Sequence, residues 1–344
     1  MKQYEGEYVS LGCSGLKVSR LAFGLAFRGQ KDAAEAERLI NKAIDCGINF
    51  IDCSNIYALA ADLNLEKSET ILGRVLKSRR DDVVITSKVG SYFLKNEGPN
   101  RYGASRYHIM LEVEKSLKRL NTDHIDVYFL HDPDPQTPIE ETCRTLETLV
   151  QQGKIRYCGL CNHQAWRVER TIGVQERINA QTAVTVQNAY SLLNRTLEEE
   201  MFPLSRDRGF GIMAYSLLGV GLLSGSYKPG LVPSKKHLWG RDPLFGQSLQ
   251  PILSGRTGNI LAAVERIAER HRASIPQVAT AWVLSHPEIT VAISGANNID
   301  QLTDSLGAIA VDLSDDDICS LNEVSEGMQM SLLQADLSKY HKSE

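Results

Sequence analysis

From residue 21 onward, short runs of apolar and β-branched residues alternate with longer segments of helical period, and few folds accept that pattern. The runs fall at 21–24, 48–52, 83–88, 125–130, 155–160, 182–187, 210–215 and 289–293. After them, apolar residues recur at helical spacing over 33–46, 66–78, 107–120, 139–152, 166–174 and 197–208, and over the consecutive pair 258–272 and 276–286. Units of about 25–45 residues predict right-handed crossovers between parallel strands. Eight of them predict a closed (β/α)8 barrel. A doubly wound open sheet would need a glycine fingerprint directly after an early strand. The nearest match, Gly219-Val-Gly221-Leu-Leu-Ser224, follows the seventh run and departs from the motif at its last position.

Around this frame, residues 8–20 alternate apolar and polar positions on either side of Cys13-Ser-Gly15 and predict a β-hairpin able to close one end of a barrel. Residues 226–255 carry Pro229, Pro233, Pro243 and Pro251 with little periodicity, and predict a long loop. Its Lys235, Lys236, Trp239 and Arg241 suggest a lid on the face where barrel enzymes keep their sites. No linker divides the chain, so residues 1–344 are expected to form one domain that includes a C-terminal segment, 310–344.

Composition narrows the partners. Lys plus Arg number 38 against 42 Asp plus Glu, a net charge of −4, with no basic run to follow a nucleic-acid backbone. No stretch is apolar enough to cross a membrane, and the first residues lack the core of a signal peptide, so the expected location is cytoplasmic. Seven scattered cysteines predict reduced thiols, and Cys158-x-x-Cys161 lacks the second ligand pair that a zinc site needs.

Three successive strands end on ionisable groups. Ile51-Asp52 opens into a loop bearing Tyr57, the run from Val83 ends on Lys88, and the run from Ile125 ends on His131. All strand C-termini of a parallel barrel share one face, so Asp52, Tyr57, Lys88 and His131 can converge there. A tyrosine with a pKa of about 10 is a poor proton donor at neutral pH, and an adjacent ammonium lowers that value. Lys88 supplies the ammonium, Asp52 holds it charged, and a neutral His131 can hydrogen-bond a substrate oxygen. Such a group suits protonation of a developing alkoxide.

The chain resembles the aldo-keto reductases over nearly its full length. The resemblance rests on Leu-Gly-Cys-Ser-Gly-Leu-Lys-Val-Ser at 11–19, the segment 52–57, and Ser-Leu-Lys-Arg-Leu-Asn-Thr-Asp-His-Ile-Asp at 116–126 leading to His131. Gly-Lys-Ile-Arg at 153–156, Ala-Tyr-Ser-Leu-Leu-Gly at 214–219 and Gly-Leu-Leu-Ser-Gly at 221–225 add to it. The stretch 98–106 and Ala165-Trp166 are similar to the bacterial and plant branches that also resemble potassium channel β-subunits. The resemblance implies a barrel that binds NADP(H) or NAD(H), with Asp52, Tyr57, Lys88 and His131 as the catalytic four and Tyr57 as the acid. It also implies that Asn162 and Gln187 hold the nicotinamide carboxamide, that Tyr215 stacks on the ring, and that Ser216, Leu218, Gly221 and Leu223 line the pyrophosphate. Gly295, Asn297, Gln301 and Ser305 fall where the adenosine end is held.

Departures from the family pattern bear on the cofactor. Ala58 stands where a glycine usually follows the tyrosine, Leu217 where a proline is frequent, and Cys161 where a serine usually precedes the asparagine, weakening one contact to the carboxamide. Ser226 replaces a lysine that reaches the pyrophosphate, for which Lys228 or Lys236 could substitute. No Lys or Arg lies between His286 and Lys339, and Asn297 occupies the place of the usual cation for the adenosine 2′-phosphate. A helix N-terminus at Asn298, with Lys236 or Arg241, could still attract that phosphate, and the reading favours NADP(H) over NAD(H).

The expected function is reduction of an aldehyde or ketone, such as a sugar or other polar carbonyl, or the reverse reaction. The partners are then a small-molecule carbonyl or alcohol and, compatibly, further copies of the chain. The alternative is a cofactor-bound regulatory subunit resembling channel β-subunits, whose members commonly carry asparagine where this chain has His131. A barrel hydrolase lacks support: there is no His-Glu-x-x-His, and Asp132 and Asp134 are spaced like a turn. Specificity lies in variable loops; Tyr92, Phe93, Arg101, Trp166 and Trp239 are the candidates for the substrate wall. Tyr190 and Trp282, and His108, His124, His271 and His286, read as packing or solvated residues.

Overall fold

The structure, a computed structural model, describes residues 4–26, 30, 32–57, 67–92, 98–228, 230–234, 238–241 and 243–330. A hairpin of β1 (Tyr8–Ser10) and β2 (Lys17–Ser19) comes first, its strands antiparallel with Val9 opposite Val18. Eight strands follow: β3 (Leu21–Gly24), β4 (Phe50–Asp52), β5 (Val84–Val89), β6 (Ile125–Leu130), β7 (Ile155–Cys161), β8 (Thr185–Ala189), β9 (Gly211–Tyr215) and β10 (Ile289–Ser294). They pair in chain order, all parallel, and β10 closes the ring against β3 with Ile293 opposite Ala22. The (β/α)8 barrel expected from the alternation is the fold observed.

The helices between strands are α1 (Ala33–Asp45), α2 (Ser68–Arg79), α3 (Arg106–Leu120), α4 (Ile139–Gln151), α5 (Ala165–Arg177) and α6 (Met201–Arg208). Past β9 come α7 (Leu238–Arg241), α8 (Pro243–Ser254), α9 (Arg256–His271) and α10 (Ile275–Leu284), and past β10 come α11 (Ile299–Leu306) and α12 (Asp315–Ser325). Their starts follow ordinary capping chemistry. Asp32, Ser105, Ser274 and Ser314 each accept a hydrogen bond from the backbone N–H three residues on, and the last two complete capping boxes with Gln277 and Asp317.

Period-two alternation along the strands divides the core. Ala22, Phe50, Val84, Val127, Phe129, Met213, Val291 and Ile293 fill the barrel interior. Their neighbours Phe23, Ile51, Ile85, Tyr128, Leu160, Val186 and Ile212 face the helices. Asp52 is two residues beyond Phe50, Thr86 and Lys88 two and four beyond Val84, and His131 two beyond Phe129. The same alternation therefore turns these polar side chains into the barrel at its C-terminal mouth. It also separates Cys158, packed in the helix-facing layer, from Cys161, packed in the interior.

At the opposite mouth the hairpin inserts Leu11 and Val18, both fully buried, beneath the interior layer. The turn approaches the strand starts so closely that only glycine fits at position 12. Gly12 has φ of +56°, and a Cβ there would lie 2.2 Å from the Val184 carbonyl oxygen and 2.4 Å from the Gly211 nitrogen.

The segment 226–255 departs from the expectation of an aperiodic loop, because it contains α7 and α8. Its prolines misled the reading. Pro243 occupies the first position of α8, where no N–H bond is needed, and Pro251 lies inside the same helix. Trp239, expected in a substrate wall, is instead fully buried: its indole N–H donates to the Val220 carbonyl at 3.1 Å and its ring meets Tyr227 edge-on. A large amphipathic side chain on a short helix has more to gain from burial with its N–H satisfied than from lining an open cleft.

Candidate active site

Lys88 and Asp52 form the centre of the mouth. The Lys88 ammonium donates to both Asp52 carboxylate oxygens, at 2.7 and 2.8 Å, and to the Cys53 carbonyl at 2.9 Å. Asp52 Oδ1 also accepts from the Thr86 hydroxyl at 2.7 Å and from the Gln187 amide at 2.8 Å. Lys88 is 0 % exposed and Asp52 3 %, so the pair is stable only because every proton and oxygen facing the interior is matched. Burial pulls the Lys88 pKa down, but the surrounding groups, the Asp52 carboxylate foremost, together outweigh it and the net direction is upward, so the ammonium stays charged.

Tyr57 sits partly exposed above this pair, with the Lys88 nitrogen 4.9 Å from its ring centroid. The sequence reading expected the ammonium to lower the phenol pKa. Its effect has that sign, but dehydration of the phenol is larger and the net shift is upward. In this state the phenol therefore carries its proton. His131 meets Tyr57 edge to face, with centroids 5.9 Å apart. Burial, reinforced by the Lys88 charge, drives its pKa from 6.5 down to about 3, so the ring is neutral. Its Nδ1 lies 3.4 Å from the Ser54 hydroxyl.

A second layer borders the cluster at β7, β8 and β9. Asn162, in a left-handed conformation with φ of +62°, donates to the His131 carbonyl at 3.0 Å and to Asp132 at 3.2 Å, and accepts from the Tyr215 hydroxyl at 2.6 Å. The Cys161 thiol lies 3.6 Å from the Gln187 oxygen. The turn after β9 is unusual in its backbone: Ser216, Gly219, Val220, Gly221 and Gly225 all have positive φ. Among the described residues, the N–H groups of Leu217, Leu218, Val220 and Gly221 make no hydrogen bond. A turn with left-handed backbone at Ser216 and over the run Gly219 to Gly221, and with unspent N–H groups, leaves donors that an anion can take up.

The other candidates scatter. Ser305 accepts from Ser294 at 2.8 Å, and the Gln301 oxygen accepts from the Asn297 N–H at 2.8 Å, which holds the turn from Gly295 to the start of α11. Tyr92 bonds Asp134 at 3.3 Å and packs on Tyr102. Arg101 is exposed on a turn. Trp166, 51 % exposed, is stacked by Arg167 and lines a cavity of about 220 Å³ with Pro133, Thr137 and His163, near the starts of α4 and α5. Lys228 is committed to Glu265 at 3.2 Å. Phe93, Lys235 and Lys236 lie outside the described residues, as does the side chain of Arg241. The roles read for Tyr190 and Trp282 agree with their stacking in the core, 5.5 Å apart.

Two features of the site escaped the sequence reading. Thr86 shares the inward face of β5 with Lys88 at a spacing of two, a signal that was available. Ser54, Asn55 and Glu112 form a buried chain behind His131, with Asn55 donating to Glu112 at 3.1 Å, and no local pattern joins residues so far apart.

The fold and the site together define a barrel protein with a buried lysine–aspartate pair beneath a tyrosine and a neutral histidine at its C-terminal mouth. The sequence model of the aldo/keto reductase family matches residues 20–326, and the chain belongs to that family of oxidoreductases. It is 34 % identical to the uncharacterized oxidoreductase YrpG of Bacillus subtilis, over 93 % of this chain and 96 % of that one. It is 33 % identical to a probable voltage-gated potassium channel subunit beta of Arabidopsis thaliana, covering 89 % of this chain and 92 % of the relative. A probable aldo-keto reductase 1 of Glycine max is 33 % identical, over 94 % and 90 %.

Proposed function

We propose that the protein interconverts an aldehyde or ketone with the corresponding alcohol using NADP(H) or NAD(H), NADP(H) being preferred. The observation that carries this reading is the Asp52–Lys88 pair set directly beneath a protonated Tyr57. When bound, the nicotinamide supplies or accepts the hydride. Tyr57 gives its proton to the oxygen as negative charge develops there, and the fixed Lys88 charge 4.9 Å from the ring stabilises the phenolate left behind. Asp52, Thr86 and Gln187 keep the lysine from swinging out of line. Neutral His131 hydrogen-bonds the substrate oxygen and so fixes its direction.

The residues suit the cofactor. Asn162, bonded to the Tyr215 hydroxyl, and Gln187 would hold the carboxamide, and the unspent N–H groups of the turn after β9 would receive a pyrophosphate. Trp239 ties α7 to that turn through Val220, which supports a covering role for the segment 226–255. Substrate is of the small carbonyl or alcohol class.

The test is fluorescence titration of the purified protein with NADPH and separately NADH, followed by a panel of aldehydes, ketones and aldoses. Tight binding and oxidation of the cofactor by a carbonyl is the expected result. Binding without turnover on any member would shift the reading to a cofactor-bound regulatory subunit. No binding of either nucleotide would sink both.

A further inference from the structure

The cavity near the starts of α4 and α5 shares no residue with the Asp52–Lys88 cluster, and its polar groups are sorted by kind. Donors stand at the rim. Arg167 and Arg170 lie three residues apart on α5, a spacing that sets both guanidiniums on one face of the helix. Neither has an ion pair or a side-chain hydrogen bond among the described residues. The Arg167 charge lies over the Trp166 ring, 4.4 Å from its centroid, a contact that provides no acceptor lone pair. The acids around them are committed elsewhere. Asp134, in the cavity wall, accepts from the Ala104 N–H at 2.7 Å, the Thr137 hydroxyl at 2.6 Å and the Gln136 N–H at 2.8 Å. On the two helices, Glu169 pairs with Arg208, and Glu140 with Arg144 and Arg177.

The inner wall holds acceptors. Thr142 gives its hydroxyl proton to the Ala104 carbonyl at 2.8 Å and Thr171 gives its own to the Arg167 carbonyl at 2.8 Å, so both oxygens can only accept. His163 is 4 % exposed, with Nδ1 2.7 Å from the Cys161 carbonyl oxygen. A carbonyl only accepts, so Nδ1 carries the ring proton. Burial holds the imidazole neutral, with its pKa down at about 4. Nε2 is therefore a lone pair, and it has no partner among the described residues. A buried acceptor without a donor is costly, and a ligand hydroxyl would supply the donor. Between the two ends the lining is apolar: Leu130, Pro133, Pro138, Ile139 and the Trp166 indole. Proline fixes its own backbone angle, so this wall keeps its shape without a ligand.

We propose that this cavity binds a small organic carboxylate that also carries a hydroxyl group. The carboxylate lies between Arg167 and Arg170, the hydroxyl donates to His163 Nε2, and a compact apolar frame packs between the proline wall and Trp166. Guanidinium suits the planar carboxylate because its N–H groups form a fork that binds two oxygens at once. An inorganic anion would leave the inner acceptors and the apolar wall unused, and a neutral alcohol would leave the guanidiniums unpaired. The cavity, of about 220 Å³, has room for a single-ring compound, and it lies apart from the catalytic cluster, so the ligand is bound beside the substrate rather than in its place. The proposal is independent of the oxidoreductase reading.

The test is isothermal titration calorimetry of the full chain with the hydroxybenzoate isomers, benzoate, the matching hydroxybenzamides and inorganic phosphate. At least one hydroxybenzoate is expected to bind with a submillimolar Kd. Benzoate should bind several-fold more weakly, and the uncharged amide at least about tenfold more weakly, since hydrogen bonds to charged groups are the stronger ones. Arg167→Gln and Arg170→Gln should each weaken the hydroxybenzoate by about tenfold and narrow its lead over the amide. The chain has three tryptophans, of which Trp239 and Trp282 are fully buried. In a 1H–15N spectrum the Trp166 indole signal, assigned by its loss in Trp166→Phe, is expected to move on binding. Four outcomes each overturn the proposal: no hydroxybenzoate binding at millimolar concentration, phosphate or benzoate bound as tightly as the hydroxybenzoate, affinity unchanged when both arginines are replaced, or a Trp166 signal that stays in place. Neither measurement needs nucleotide or turnover, so failure of the oxidoreductase reading leaves the result standing.

Discussion

A single hydroxyl separates the two roles that Tyr57 can play. Tyr57→Phe keeps the ring over Lys88 and removes the only proton the proposed mechanism transfers. Its turnover should fall by at least about a thousandfold while nucleotide affinity stays within about twofold of wild type. Residual turnover near the wild-type rate, measured by cofactor absorbance, would exclude Tyr57 as the acid. Lys88 answers to a different balance. It is fully buried, and Lys88→Met strands the Asp52 carboxylate, so the variant should lose about 3–5 kcal/mol of stability in denaturant as well as its activity. Replacing both partners by apolar residues should restore most of the stability and none of the activity. Recovery of neither would mean that the pair is held by something other than mutual neutralisation.

Among the elements, the N-terminal hairpin has the most specific requirement. Gly12 is the point at which the hairpin turn touches β8 and β9, and a methyl group there would have to occupy the space of the Val184 carbonyl. Gly12→Ala should cost about 1–3 kcal/mol from the left-handed backbone alone, and more from the displaced hairpin. Urea midpoints would show it, and a loss of less than about half a kcal/mol would mean that the plug contributes little. At this scale the sequence was legible where its signals were periodic. The eight strands and most helices were placed within a few residues, because burial on one face of an element leaves a repeat in the chain. It misread 226–255, where prolines stood for a loop, although proline at a helix start leaves helix formation intact. Trp239 was misplaced for the same reason, since a residue in a supposed loop is read as exposed.

Across the whole molecule, neutral histidines set a response to acid: burial lowers His108, His131, His163 and His286 alike. Burial holds His131 at about 3 and His163 at about 4, both below the ordinary 6.5. The unfolded chain takes up protons at these positions below about pH 6.5 while the folded chain does not, so stability falls as pH drops from there toward the folded values. The depressed carboxyls Glu112 and Asp134 add to the loss only at lower pH, as they protonate in turn. Between about pH 7 and about pH 5 the urea midpoint should therefore fall, and should fall less in His163→Asn than in wild type. An equal fall in both would remove His163 from the account.

The amino-acid sequence by itself determined the barrel, the three ionisable strand ends and the faces on which they lie, because those depend on a period of two along each strand and on parallel strands ending together. Tertiary structure alone decided how those groups behave. The upward shift of Tyr57, the neutrality of His131 and the matching of Asp52 by Thr86 and Gln187 depend on dehydration and on contacts between residues up to 135 positions apart. The line from His131 through Ser54 and Asn55 to Glu112 joins two loops and a helix that meet only when the chain is folded. Periodicity records which side of an element is buried, whereas the energy of a buried charge depends on every neighbour that surrounds it, and those neighbours are brought together only by the closed barrel.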